Sequence, residues 1–242
     1  KLRSGQASGL HAAADCGSFC ILDTKGIRPL DAPRGADGLD SATQTKVDEG
    51  NAFADFVIEA AWAAFEGKVS FTIELPYYRG DPYATPGRPF WPRKANASSM
   101  LHFKRFQDLL DASGARVMRW PMCLLGSLTQ KYTITVTWPP DTVGGVFSHL
   151  DGADCPHISH AKLARGSDAD DAKVYAVAYD ELIALAHVPQ QHVAREVNLG
   201  VLASMVPTDG TRIRMLADNG ATDFFVPTDA NCLPGTDGPP TI

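Results

Sequence analysis

Two hydrophobic periods alternate along the chain. Residues 9–14, a run of small and apolar side chains, read as a buried strand that enters a turn at Asp15-Cys16-Gly17. From there to Asp40 the sequence is rich in Gly, Pro and Asp and reads as loop. Ser41 is placed to cap a long helix over 42–66. Its apolar positions Val47, Phe53, Phe56, Val57, Ala60, Ala61 and Ala64 form one stripe, and Gly67 ends it. Residues 69–73 alternate and are β-branched, which predicts a strand followed by Glu74-Leu75-Pro76. The proline-rich stretch 76–96 predicts an irregular loop. A helix over 98–112, a short strand over 116–120 and a strand over 131–138 come next, the last stopped by Pro139-Pro140. Residues 139–168 read as loop. A helix is expected over 170–187, with Val174, Val177, Ala178, Leu182 and Leu185 on one face, and a strand pair around 197–206 and 211–217. The last ten residues read as linker.

This order of strand, helix, strand, helix, strand predicts an α/β fold with a mostly parallel sheet. Ligands then bind beyond the carboxyl ends of the strands, where Cys16 and Glu74 fall. Among 242 residues, 44% are hydrophobic and 21% charged, an ordinary globular balance. No apolar run approaches the ~18 residues a membrane span needs, so no membrane partner is expected. The net charge of −6 lacks the overall basic footprint of a nucleic-acid binder, so any contact with DNA must come from a local patch. Five cysteines, an odd number, do not form a disulfide framework and fit an intracellular, reducing setting.

Three segments, in this order, carry a resemblance. Ala14-Asp15-Cys16 ends a strand in a cysteine. Phe71-Thr72-Ile73-Glu74-Leu75-Pro76 ends a strand in a glutamate. Gly126-Ser127-Leu128-Thr129-Gln130-Lys131-Tyr132-Thr133 brings a glutamine and a basic residue into a β-branched strand. Together they resemble the carboxyl-terminal half of a SAM-dependent cytosine-C5 DNA methyltransferase, in the form found in retroelement polyproteins, over roughly residues 8–188. The resemblance implies a partial Rossmann-like sheet in a domain over 1–190, with the half that binds S-adenosyl-methionine lying upstream. It also implies Cys16 as the nucleophile at cytosine C6, Glu74 at the ring N3, and Lys131 as the basic residue that orients the site. Asp15, Leu75 and Thr133 depart from the family pattern and point to a degenerate domain. Read from the residues alone, Cys16 and Cys20 fit equally well as small buried residues near a turn.

Other groupings carry further expectations. Arg88, Arg93, Lys94, Lys104 and Arg105 interleave with aromatic residues, as in patches that contact phosphate and stack on bases; a solvated face reads the same way. Cys155, His157 and His160 place zinc-type ligands within six residues, with Cys123 or His149 as a fourth; the alternative is a polar loop. Asp218 in Ala217-Asp218-Asn219-Gly220-Ala221 resembles the active-site loop of a retrotransposon aspartic protease. This implies a second unit over 191–242, a β-rich tail that would pair with another copy as a dimer. A simple turn accounts for the same residues. The readings are therefore a degenerate methyltransferase-like domain, a non-catalytic structural or nucleic-acid-binding module, or the start of a protease precursor.

Overall fold

The computed structural model describes residues 1–13, 17–19, 26–77, 97–129, 131–157, 160, 175–187 and 224–227. Its sheet has five strands: β1 (Ala7–Ala13), β2 (Ser70–Pro76), β3 (Arg116–Pro121), β4 (Tyr132–Trp138) and β5 (Phe224–Pro227), in the order β3-β4-β2-β1-β5. β1 and β2 are parallel and are joined by the crossover helix α1 (Ser41–Glu66). β4 lies antiparallel between β2 and β3, and β5 is antiparallel to β1. The expected α/β class holds, but the sheet is mixed rather than mostly parallel. The link from β3 to β4 is short, a 3-10 turn over Met122–Leu125 and a few residues more. Such a link reverses the chain; only the longer crossovers return it parallel.

Several boundaries differ from the sequence reading. Asp40, not Ser41, caps α1: its carboxylate accepts from Thr43 N at 3.0 Å. The buried stripe of α1 runs through Ala54, Val57, Ile58, Ala61 and Ala64, while Phe56 turns outward, 54% exposed. The helix expected over 98–112 is broken at Phe103, whose extended backbone separates a 3-10 turn from α2 (Lys104–Ser113). The loop expected over 139–168 contains α3 (Val143–Phe147) and a 3-10 turn over Ser148–Leu150. The last described helix, α4 (Val177–His187), buries Tyr179, Leu182, Ile183, Ala186 and His187 and leaves Val177 exposed. The expected strands over 197–206 and 211–217 lie outside the described residues.

Helices cover both faces of the sheet. On one face Leu10 and Ala12 of β1, Phe71, Ile73 and Leu75 of β2, and Ile134 and Val136 of β4 pack under α1 and α2. The opposite face carries Met118 and Trp120 of β3 beneath α3 and α4. Most of its other strand positions are polar: His11, Thr72 and Glu74, then Thr133, Thr135 and Thr137, all buried. No described helix is long and apolar enough to cross a membrane.

Gly9 lies on this second face, where a Cβ would sit 2.2 Å from Nδ1 of His187. The ring cannot move without leaving Ser70 and Thr72, to which it is hydrogen-bonded. Gly9→Ala is expected to lower stability by about 3 kcal/mol, the upper end of ordinary overpacking, read as a lower urea midpoint at unchanged slope.

Candidate functional site

Glu74 stands inside β2 rather than just beyond it, beside Thr135 of β4 and Ala13 of β1. Its side chain is 2% exposed and points toward the α4 layer. An isolated carboxylate there would be costly, and three groups meet it. Lys131, just before β4, brings its ammonium to 3.4 Å of Oε1. Thr133 donates to the same oxygen, and the Tyr175 hydroxyl donates to Oε2 at 2.8 Å. The Lys131 ammonium also lies 5.0 Å from the centre of the Tyr175 ring. Two of the residues singled out in the sequence, Glu74 and Lys131, are thus in contact.

The antiparallel β4 explains why. Its register sets Pro76 opposite Thr133, so the start of β4 meets the carboxyl end of β2. Tyr175 went unnoticed in the sequence because it lies within the helix expected over 170–187 but off its apolar face; in the structure it stands two residues before α4.

β1 runs parallel to β2, so both carboxyl ends lie at one edge of the sheet. Cys16 follows Ala13 by three residues and lies outside the described residues. The turn over 17–19 beyond it is firmly tied down. The buried Arg28 guanidinium donates to Ser18 Oγ from Nε (3.2 Å) and Nη2 (2.8 Å) and stacks over Phe19 at 3.9 Å. Gly50 of α1 makes room for this: a Cβ there would meet Ser18 Oγ at 2.3 Å.

Beside the Glu74 cluster runs a second buried polar chain. Ser70 Oγ donates to the Ser8 carbonyl at 3.0 Å, so it accepts from His187 Nδ1 at 2.8 Å. His187 Nε2 must then accept from Thr72 Oγ1 at 3.1 Å, and Thr72 accepts from His11 Nδ1 at 2.7 Å. The chain thus fixes His187 as neutral, with its proton on Nδ1, and gives His11 a proton on Nδ1. Burial lowers each ring to a pKa of about 3, with the neighbouring His11 a further cause at His187. Tyr179 roofs this chain, its ring edge-on to His11 and tilted against Trp120 and Tyr175.

A third cluster lies at the start of β4. Cys123, in the turn after β3, and Cys155, His157 and His160 bring four ligand atoms within 4.8 Å of one another. Cys123 Sγ and Cys155 Sγ are 3.3 Å apart and unbonded, and Cys155 Sγ lies 3.5 Å from His157 Nδ1 and 3.3 Å from His160 Nε2. The group can hold a metal ion. Cys123 is the fourth member; His149 is not part of it. Burial, then the neighbouring Cys155 sulfur, pushes the Cys123 thiol up to about 12. Two sulfurs this close become thiolates together only around a cation.

The remaining expected residues are not gathered here. Arg88, Arg93, Lys94 and Asp218 lie outside the described residues. Lys104 and Arg105 sit on α2, across the sheet from the layer Glu74 faces. Lys104 pairs with Asp108. Arg105 holds Glu59 through two hydrogen bonds (2.6 and 3.1 Å) and lies over the Trp62 ring. Lys104 and Arg105 follow the Glu74 strand in sequence, yet α2 packs on the other face of the sheet, under which Ile73 and Leu75 lie.

No protein-family model, curated protein or solved structure matches this chain.

Proposed function

We propose that this chain is the base-holding part of a cytosine-C5 DNA methyltransferase-like domain derived from a retroelement polyprotein, with a Rossmann-like sheet. The observation that carries this reading is the meeting of Glu74 and Lys131 at the carboxyl end of β2, beside the parallel strand that leads to Cys16. The Cys16 thiolate would bond to C6 of an extruded cytosine. The C5–C6 pair would shift to C4–C5 and the C4–N3 pair onto N3, which would take from Glu74 the proton that Glu74 had received as the Cys16 thiol became a thiolate. Thr133 and Tyr175 hold that carboxyl group in place, and Lys131 sets the local charge. Among the described residues no glycine-rich turn leads a strand straight into a helix. No residue here is therefore given to S-adenosyl-methionine, and the chemistry proposed stops at the covalent adduct. The Cys/His cluster suits zinc, since two thiolates and two imidazoles are a common tetrahedral set for that ion.

The competing reading, a non-catalytic module, draws on one observation: both oxygens of Glu74 already have hydrogen-bond partners. A DNA duplex carrying 2-pyrimidinone in place of cytosine separates the two, because that ring accepts a thiolate at C6 without a methyl donor. A covalent protein–DNA species on a denaturing gel, lost in Cys16→Ser, is the expected result. No adduct, or one that survives Cys16→Ser, overturns the proposal in favour of the non-catalytic module.

A further inference from the structure

The Cys/His cluster touches the same short segment that delivers Lys131. Met122, next to Cys123, donates its backbone N–H to the Lys131 carbonyl at 2.7 Å. The backbone N–H of Cys155 donates to the Tyr132 hydroxyl at 3.2 Å. Residues 131 and 132 are thus held on one side through the neighbour of one cysteine and on the other through the second cysteine itself. Between the two cysteines the chain runs through β4, α3 and the 3-10 turn over Ser148–Leu150. It then passes along the outer edge of β3, where Gly152 N donates to Arg119 O at 2.8 Å and Asp151 accepts from Arg119 N at 3.1 Å. Residues 153–157 have neither helix nor strand to fix them.

Donor chemistry and spacing fit one tetrahedral ion. Metal–ligand lengths of ~2.3 Å to sulfur and ~2.0–2.1 Å to nitrogen put ligand atoms about 3.3–3.8 Å apart. The sulfur–sulfur contact of 3.3 Å and the sulfur–nitrogen contacts of 3.5 and 3.3 Å fall close to that range. Three ligands come from one short loop and the fourth from a turn of another element, so an ion here joins two segments.

We propose that a zinc ion bound by Cys123, Cys155, His157 and His160 is a structural clamp that fixes the entry to β4 and thereby holds Lys131 against Glu74. A lysine stem is flexible, and ordering it is costly. Fixing its carbonyl through Met122 and the side chain of its neighbour Tyr132 through Cys155 removes part of that cost. Only the consequence for base binding rests on the reading of Glu74 and Lys131 given above, and the test uses no nucleic acid.

The purified chain is expected to carry one zinc per molecule by elemental analysis. Its cobalt-substituted form should show thiolate-to-metal charge-transfer bands and tetrahedral d–d bands. Removing zinc with a chelator should speed amide exchange about tenfold over 121–134 and 151–157 and leave 41–66 unchanged. His157 is exposed, so His157→Gln should keep the fold while weakening zinc binding by roughly 10–100-fold or more. Less than one equivalent of metal, or affinity unaltered in both His157→Gln and Cys155→Ser, overturns the site. A full zinc complement whose removal leaves exchange over 121–134 unchanged overturns the clamp. Neither result touches the Cys16 adduct, which the DNA experiment reads separately.

Discussion

Moving from pH 7 to pH 5 is expected to cost this protein roughly 4 kcal/mol through His11 and His187 together. Both rings are held near pKa 3 by burial, against 6.5 when exposed. Below 6.5 the unfolded chain therefore binds more protons than the folded one. The stability these two groups contribute is fully present above that pH and is lost as pH falls toward 3. Each histidine gives a slope of about 1.4 kcal/mol per pH unit. Burial is what keeps His11 from charging, and at His187 the hydrogen-bond chain adds a second reason. A proton on His187 Nε2 would face Thr72 Oγ1, whose own hydrogen already points there. Asp180 acts in the opposite sense, since burial raises its carboxyl group, but only nearer the carboxylate range. With total stabilities of about 5–15 kcal/mol, the histidine effect is decisive. Urea titrations at pH 7, 6 and 5, run with a chelator so that metal loss does not add to the result, should show the midpoint falling steadily. In His187→Asn the slope should roughly halve. A flat stability between pH 7 and 5 would overturn the assignment of both rings as buried and neutral.

The same polar face shows where sequence reasoning reached and where it stopped. The alternation of Val69-Ser70-Phe71-Thr72-Ile73 and of Tyr132 to Trp138 marks strands correctly. It also sorts Phe71, Ile73, Ile134 and Val136 onto the α1 face. The complementary set, Ser70, Thr72 and Glu74 with Thr133, Thr135 and Thr137, has the pattern of a solvated face. It is covered all the same, all but Ser70 fully buried, because α3 and α4 bring Phe147 and Tyr179 over it beside Trp120 of β3. Alternation reports which residues share a face, not whether a helix from later in the chain will cover it. Glu74 and Lys131 were legible because each adjoins a clear strand end. Their contact depended on β4 inserting between β2 and β3, a pairing that element order alone assigned differently. The metal ligands behaved alike. Three lie within six residues and were visible; Cys123 became the fourth only through the fold.

Glu74→Gln is expected to separate what this residue does for the fold from what it does for chemistry. The amide has the carboxylate's shape, and its oxygen can still accept from Thr133. Its NH2 group can donate to the Tyr175 hydroxyl, which then turns to act as acceptor. What is lost is the ion pair with Lys131, whose own side chain is 19% exposed and can relax toward water. The cost to stability should therefore stay near 1–2 kcal/mol, read as a modest fall in melting temperature. Glu74→Ala differs. It takes one acceptor from the Tyr175 hydroxyl and the counter-charge from Lys131, leaves Thr133 the Leu75 carbonyl at 2.9 Å, and opens a cavity, for about 3 kcal/mol. A glutamine cannot give a proton to N3. If Glu74 is the acid at the base, the rate of adduct formation with 2-pyrimidinone DNA should fall about 100-fold or more in Glu74→Gln, within the usual span of general-acid contributions. If Glu74 serves only to satisfy the polar face, the rate should follow stability and barely change while the variant stays folded. Lys131→Met adds a second axis. It leaves the carboxylate buried without its counter-charge, so the fold should weaken. If Lys131 orients the site, adduct formation should slow by more than the loss of folded protein accounts for. An adduct rate that follows only the folded fraction in Lys131→Met, together with an unchanged rate in Glu74→Gln, would remove both residues from the chemistry and leave them as supports of a buried sheet face.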